Sequence, residues 1–540
     1  MNKRALASLI VTFALIFVYY QLWNRYAINI PKWDDHAFKA TIEQYEKASG
    51  LGDKLHAIFV QHNEHRVALT RIVAIVDYKI FGHINYEHLM FVGNLALLVI
   101  WWLLTRFFKP LPGAVWYALP IATFWFSLAF WENTFWGMAA IQNFWVVAWA
   151  VLTFWRLSRR DKHWAWAVPM AFMGLFTSGN GILIFPLALG VLLLQKRWKV
   201  SSFWVVFSAI SIGLYFWQYK APPTDLGVKG SSNLLTLIKG FLLFCGSLFE
   251  SLPFGNTPIQ MPFLMGGLTL FVSLSILLYI LRSYWKRQFE LNEFDYFYLG
   301  GVLFALATAV IVTYSRIGLG PENMLTSRYK LYSALLLSFN IAYLTRLVSP
   351  RFREVLTLTF VVGAAFLYAS NQHYHLYDTI QLRKFNVTSC FNWRNDPTNK
   401  PSAIYHPPRL LFEKIQIPSD SLMVGKTCSL VDQKLSLAQP EYQVYDLRDG
   451  GLYVLLSNQK NQYIFPTTPE RKHSFRNIIN YNRFFAKGSS VQIPASEVTA
   501  GTYRVRWLHY DRKGKLYFEN APCDVVTFEK VAQQSIKTNW

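Results

Sequence analysis

The chain has 540 residues, of which 53% are hydrophobic, 17% aromatic and 16% charged. A soluble protein carries roughly 25% charged residues, and here the deficit is concentrated between residues 89 and 370, which excludes a wholly soluble globular protein. The net charge of +22 does not mark a nucleic-acid binder: outside the tail, the excess Lys and Arg lie in short loops between apolar runs, where they set membrane orientation, and no nucleic-acid-binding motif is present.

In chain order, Lys3-Arg4 opens an uncharged run from Ala5 to Trp23 that ends in the aromatic belt Tyr19-Tyr20-Gln21-Leu22-Trp23. It is expected to be an uncleaved first span, since a cleaved signal would have a shorter apolar core and small residues before the cut. Residues 24–88 read as a large polar first loop. Further apolar segments lie near 89–104, 114–131, 137–155, 164–177, 181–194, 203–218, 234–249, 262–281, 296–314, 329–347 and 355–370. A full crossing takes about 20 apolar residues, so the shorter segments are expected to borrow aromatic or polar flanks.

Charge assigns the sides. With the N-terminus inside, the inside loops hold Arg106 and Lys109, then Arg156, Arg159, Arg160 and Lys162, then Lys196, Arg197 and Lys199. The facing loops 132–136 and 178–180 hold no Lys or Arg, as the positive-inside rule requires. A crossing at 234–249 would place the basic loop Arg282–Asp295 outside. Treating 234–249 as re-entrant or surface-lying removes that conflict. The fold expected is mainly α, a polytopic transmembrane helical bundle of about 11 spans (residues 1–370), with a C-terminal β-rich soluble domain (371–540) on the outside together with the first loop.

In that tail, alternating runs such as Tyr463-Ile464-Phe465 and Thr502–Leu508 are separated by the turn signals Asp449-Gly450-Gly451 and Arg512-Lys513-Gly514, the pattern of a small β sandwich. It holds 22 Lys plus Arg against 14 Asp plus Glu, a balance suited to lipid headgroups or a charged glycan. A scaffold or acceptor-docking module is the plainer reading. The four cysteines lack metal-ligand spacing; Cys390 and Cys428 could pair in an oxidising compartment, or remain unpaired, and both are left open.

The first loop carries the chemistry. It begins Pro31-Lys32-Trp33-Asp34-Asp35-His36-Ala37-Phe38 and continues to Gln61-His62-Asn63-Glu64-His65-Arg66, then Arg71. Apolar residues recurring from Ile58 to Ile80 predict a helix along the membrane surface, with Glu64 and Arg71 on one face. Adjacent carboxylates serve as a general base with its neighbour, as hard-oxygen ligands for a divalent cation, or as a cap for the following helix. His62 and His65 lie three apart, but no third metal ligand has suitable spacing.

A first span followed by an outer loop with an Asp-Asp pair and surface-lying helices resembles the GT-C glycosyltransferases, polytopic enzymes that take sugars from polyprenyl-phosphate carriers. That group includes the protein O-mannosyltransferases and the aminoarabinose transferase acting on lipid A. The likeness covers the hydrophobic plan of most of residues 1–370 and few motif residues. It implies an inverting hexosyl- or pentosyltransferase in the inner membrane, with Asp34 as general base, Asp35 as its partner in metal binding or loop structure, and Glu64 as a further acid or base. A Mg or Mn ion, held by Asp34 and Asp35, is an open possibility.

Chemistry adds the remaining candidates. A departing lipid phosphate needs cations, and Arg66, Arg71, Arg316, Arg328 and Lys330 are available; Arg328, Tyr329 and Lys330 open a helix, where free N–H groups add to the charge. His65, Glu132 and Asn133 are expected to line the cavity. The implied partners are a polyprenyl-phosphate-linked sugar, membrane lipids, and a glycan, lipid or protein acceptor; nucleic acid is not among them. The rival readings are a flippase for a lipid-linked glycan, an anchoring protein displaying the tail, and a ligase or polymerase using a pyrophosphate-linked donor.

Overall fold

The computed structural model describes residues 3–221, 233–255, 257–286, 290–395, 402–410, 412, 425–443, 446–479, 484–511 and 515–529. The chain divides into two compact units. The helical unit comprises Met1–Trp23, Thr41–Asp77 and His88–Gln372; the second comprises Asn24–Ala40, Tyr78–Glu87 and His373–Trp540. The expected boundary at 370/371 therefore falls inside a continuous helix, and the two ends of the first loop group with the tail.

In chain order, α1 (Lys3–Tyr26) leads to a loop carrying α2 (Ala37–Lys47), α3 (Leu51–Phe59) and α4 (Ala68–Phe81). There follow α5 (Tyr86–Thr105), α6 (Ala114–Trp125), the short α7 (Trp131–Thr134) and α8 (Gly137–Ala139), α9 (Trp145–Ser158), α10 (Ala167–Leu175), α11 (Ile184–Leu194) and α12 (Trp198–Phe216). The remaining long helices are α13 (Leu234–Cys245), α14 (Gln260–Lys286), α15 (Glu293–Arg316), α16 (Lys330–Leu347) and α17 (Pro350–Asn395). Among the described residues, eight helices are long and apolar enough to cross a membrane, fewer than the segments marked in the sequence. One reason is length: α13, with 12 residues, rises about 18 Å, short of a ~30 Å hydrocarbon core.

α16 misses that composition for a different reason. Nearly all of it is buried, so its polar groups face protein instead of lipid. Asn340 accepts from Tyr298 Oη at 2.7 Å and donates to Ser273 Oγ at 2.9 Å, and Trp125 Nε1 donates to Ser338 Oγ at 3.1 Å. Small residues bring other helices together, as is usual in membrane bundles. A Cβ on Gly266 would lie 1.9 Å from Leu242 O, and one on Gly246 1.9 Å from Pro262 O, so α13 and α14 touch backbone to backbone.

Contacts sort the connections of the helical unit into two ends. At one, Arg4 pairs with Glu354 at 3.4 Å, Arg346 donates to Phe107 O at 2.6 Å, Arg159 faces Glu293 at 3.7 Å and Tyr296 Oη reaches Leu194 O at 3.4 Å. At the other, Glu64 pairs with Arg316, Glu132 with Arg328, Glu250 with Lys330 and Asn180 with Tyr332. α15 links the ends, from Glu293 to Arg316. α13 stays at the second end, where a Cβ on Gly240 would meet Ile317 and where Ser333 Oγ donates to Cys245 O at 2.6 Å.

In the second unit, β1 (Lys434–Gln439), β5 (Phe485–Pro494) and β4 (Thr468–Arg471) form a three-stranded antiparallel sheet in the order β1-β5-β4. β3 (Gln462–Pro466), β2 (Gly451–Ser457), β6 (Gly501–Tyr510) and β7 (Leu516–Phe528) form a four-stranded one in the order β3-β2-β6-β7. The sheets share a core of Leu435, Leu437, Val454, Leu456, Val491, Ile493, Val505 and Trp507. The opposite face of β2 and β6, with Tyr453, Leu455 and Leu508, packs on Ile30, Val387, Cys390 and Phe391. β2 is buried along its whole length, which explains its unbroken Gly-Leu-Tyr-Val-Leu-Leu-Ser run. The strands expected at 463–465 and 502–508 are β3 and β6; the Arg512-Lys513-Gly514 turn lies outside the described residues. Cys428 forms a disulfide with Cys523, Cα atoms 5.4 Å apart, and so does not pair with Cys390, which packs in the core facing the helix. β7 carries Cys523 alongside the 426–428 segment, where Cys428 N donates to Val525 O at 2.7 Å, and that register decides the partner.

Candidate active site

In the helical unit the helix expected through residues 58–80 is broken. α3 ends at Phe59 and α4 begins at Ala68. Between them His62 and His65 exchange backbone hydrogen bonds of 2.7 and 2.8 Å, and Asn63 takes φ 48, a left-handed conformation Asn tolerates. Glu64 therefore sits on a tight turn and shares no helical face with Arg71. Gln61 fixes this turn: its amide donates to Asn63 O (2.5 Å) and Lys220 O (2.6 Å) and accepts from Lys220 N (2.9 Å).

The turn presents Glu64 as a partly exposed acid. Its Oε1 accepts from Arg316 Nη2 at 2.7 Å and lies 3.7 Å from His65 Nε2. The Gly179 turn packs against His65: a Cβ there would stand 2.5 Å from His65 Nδ1, so the position calls for glycine. Next in line, Asn180 donates to Tyr332 Oη at 2.6 Å and Thr308 Oγ1 at 3.3 Å.

Arg66 and Arg71 have other work. The Arg66 guanidinium donates to the carbonyls of Phe59, Tyr215 (2.5 Å) and Trp217, and Arg71 to those of Ile58 (3.2 Å) and Val60. These are the last carbonyls of α3 and α12, orphaned by helix geometry and satisfied here by cations. Burial lowers the pKa of Arg66, and burial with Arg66 nearby lowers that of Arg71 to about 10. Both arginines fasten the loop to the bundle, their guanidinium groups engaged by backbone carbonyls.

The late loop splits as well. Lys330 is 1% exposed and paired with Glu250, a carboxylate the sequence reading passed over although an acid between Phe249 and Ser251 in apolar surroundings is itself a signal. Tyr329 stacks on Phe244 with centroids 5.6 Å apart. Arg328 is partly exposed, 3.5 Å from Glu132 Oε2 and 5.6 Å from the Trp136 centroid. Glu132 N donates to Ser327 Oγ at 3.3 Å, joining this corner to the late loop. Asn133 is buried and accepts from Asn143 Nδ2 at 2.8 Å. Arg316 and Arg328 are therefore the expected cations that combine exposure with an acidic partner.

Beside the Glu64 turn a cleft of about 1250 Å³ opens, with Asn63, Arg66 and Lys220 among its polar residues and Leu55, Phe59, Phe176 and Trp217 among its apolar ones. Leu55 and Trp217 are exposed, so the cleft continues onto an apolar surface.

Asp34 and Asp35 belong to the second unit. Trp33 takes φ 47 with its ring exposed, a backbone conformation costly for a bulky side chain, and Lys32 Nζ lies 4.1 Å from its ring centroid. Asp35 is fully buried and its Oδ2 accepts from Lys32 N at 3.1 Å, the return half of a capping box. Asp34 is partly exposed. The pair is thus divided between a buried cap and a partly exposed carboxylate. Among the described residues no cluster of three or more His, Cys, Asp or Glu could hold a metal ion. Compared with protein families, curated proteins and solved structures, the chain matches none.

Proposed function

We propose that the protein is a membrane glycosyltransferase of GT-C type that moves a sugar from a polyprenyl-phosphate carrier to a cell-envelope glycan, lipid or protein on the outer face of the inner membrane. The observation that carries the reading is the Glu64 turn: a partly exposed acid–arginine pair beside a large, mostly apolar cleft. A substrate that is part sugar phosphate and part isoprenoid asks for that combination. In the reaction, an acceptor hydroxyl attacks the anomeric carbon and loses its proton to a carboxylate, for which Asp34, by the resemblance, and Glu64 are the candidates; the lipid phosphate leaves as a monoester whose charge Arg316 and Arg328 stabilise.

Topology supports the same reading. With α13 confined to one end, about eleven crossings are proposed: the eight long apolar helices among the described residues, and α10, α11 and α16. The end holding Arg4, Arg106, Arg159 and Arg346 is then inside, and Glu64 and the C-terminal domain are outside. The Cys428–Cys523 disulfide fits an oxidising compartment. A flippase would place ionisable groups deep in its spans, whereas α6 carries no charged residue and α9, α12, α14 and α15 carry them only near their ends.

The test is transfer from polyprenyl-phosphate sugars by membranes containing the full chain. Arg316→Gln is expected to lower transfer roughly 100-fold or more with unchanged membrane insertion. Wild-type-like transfer by that variant would remove Arg316 from the site. Absence of transfer by wild type from any such donor would favour the flippase or the pyrophosphate-linked donor.

A further inference from the structure

At the end of the bundle opposite Glu64, a pocket of about 200 Å³ lies among residues of α5, α9 and α15. Arg106, Lys109 and Arg159 line it, against the single carboxylate of Glu293. Arg159 Nε is 3.7 Å from Glu293 Oε2, which leaves two cations in excess. The pocket also has an aromatic wall. Arg106 stands 4.1 Å from the Trp102 centroid, Arg159 5.1 Å from that of Trp155, and the two indoles are 5.9 Å apart.

Two details indicate the kind of ligand the pocket suits. Arg106 keeps a buried Nε–H with no acceptor among the described residues, and a buried donor of that kind calls for a partner. Trp102 is 41% exposed near the end of a long apolar helix, the position where indoles meet the membrane interface. A ligand that is anionic at one end and apolar at the other satisfies both. The volume suits a headgroup and is below that of sites for drug-sized molecules.

We propose that this pocket binds the phosphodiester headgroup of an anionic membrane lipid, with Arg106 and Arg159 donating to the phosphate, Lys109 at the rim and Trp102 against the first acyl carbons. Basic pockets between helices on the inner side of a membrane bind such headgroups. The site is separate from the proposed transfer chemistry and stands without it.

The experiment uses the full chain, delipidated in neutral detergent, with thermal unfolding followed as phosphatidylglycerol, phosphatidylcholine or inorganic phosphate is added. Phosphatidylglycerol is expected to raise the wild-type midpoint, and the other two to leave it unchanged. In Arg106→Gln/Arg159→Gln the half-saturating phosphatidylglycerol concentration rises roughly 25-fold, about fivefold per cation removed. Equal half-saturation in wild type and variant, or an equal effect of phosphatidylcholine, overturns the proposal; an equal effect of inorganic phosphate replaces the lipid with a soluble anion. If the double variant does not fold, exposed Lys109→Gln takes its place, with a fivefold rise expected and no rise overturning the assignment.

Discussion

Cys428 and Cys523 are separated by 95 residues, and releasing so long a loop returns considerable freedom to the unfolded chain. The loop-closure relation gives about 16 cal/mol/K, or about 4.7 kcal/mol at 25 °C. That is a large share of the roughly 5–15 kcal/mol that holds a domain folded. The double variant Cys428→Ser/Cys523→Ser should therefore keep the strand pairing but lose much of the stability of the β-rich region. Pulse proteolysis of the full chain across a urea series, reading loss of the C-terminal fragment, measures this directly. With a slope of about 2 kcal/mol per molar, the midpoint falls by roughly 2 M. A fall below about 0.5 M would mean that the loop is not closed by this bond. Peptide mapping before and after reduction should find these two cysteines joined and Cys390 in no disulfide.

Two further predictions concern the Glu64 loop, and a third the packing of α13 on α14. Arg66→Ala leaves the Phe59, Tyr215 and Trp217 carbonyls without their donor and should cost about 3 kcal/mol, read as a lower thermal midpoint; Arg66→Lys, lacking the planar fork, recovers only part. An unchanged midpoint would return Arg66 to the list of phosphate ligands. Glu64→Gln removes a partly exposed ion pair worth under about 1 kcal/mol, yet transfer should fall by about 10²-fold or more; equal losses of stability and transfer would make Glu64 structural. Gly266→Ala forces a Cβ to within 1.9 Å of Leu242 O and should destabilise by about 1–3 kcal/mol; a neutral result on the thermal midpoint would show that α13 and α14 are not so closely packed.

What could be read in advance depended on how local the signal was. Apolar length marked the long helices, and alternation marked β3 and β6, because each depends on its own residues. β2 gave no alternation because it is covered on both faces, one of them by a distant helix segment. The apolar spacing runs unbroken across 58–80, while the break at Glu64 depends on Arg66 and Gln61 bonding to the carbonyls of Tyr215, Trp217 and Lys220, far away in sequence, and on Arg71 reaching back to Ile58 and Val60. Residue type likewise could not distinguish Arg66, spent on helix ends, from Arg316, which faces Glu64. Asp35 is legible in the sequence as a cap or a ligand, and the structure shows its Oδ2 accepting from Lys32 N, as a cap does. The Cys428 partner depended on the register of β7, which spacing does not encode.

The central claim is carboxylate-assisted transfer from a lipid-linked sugar, and one comparison tests it most directly. Membranes holding wild type or Asp34→Asn at equal, correctly inserted levels are supplied with polyprenyl-phosphate sugars, and transferred glycan is measured. The account predicts robust transfer by wild type and a fall of about 10²- to 10⁴-fold in the variant. Transfer by Asp34→Asn at the wild-type rate would contradict it and leave Asp34, like Asp35, a residue of the loop's structure.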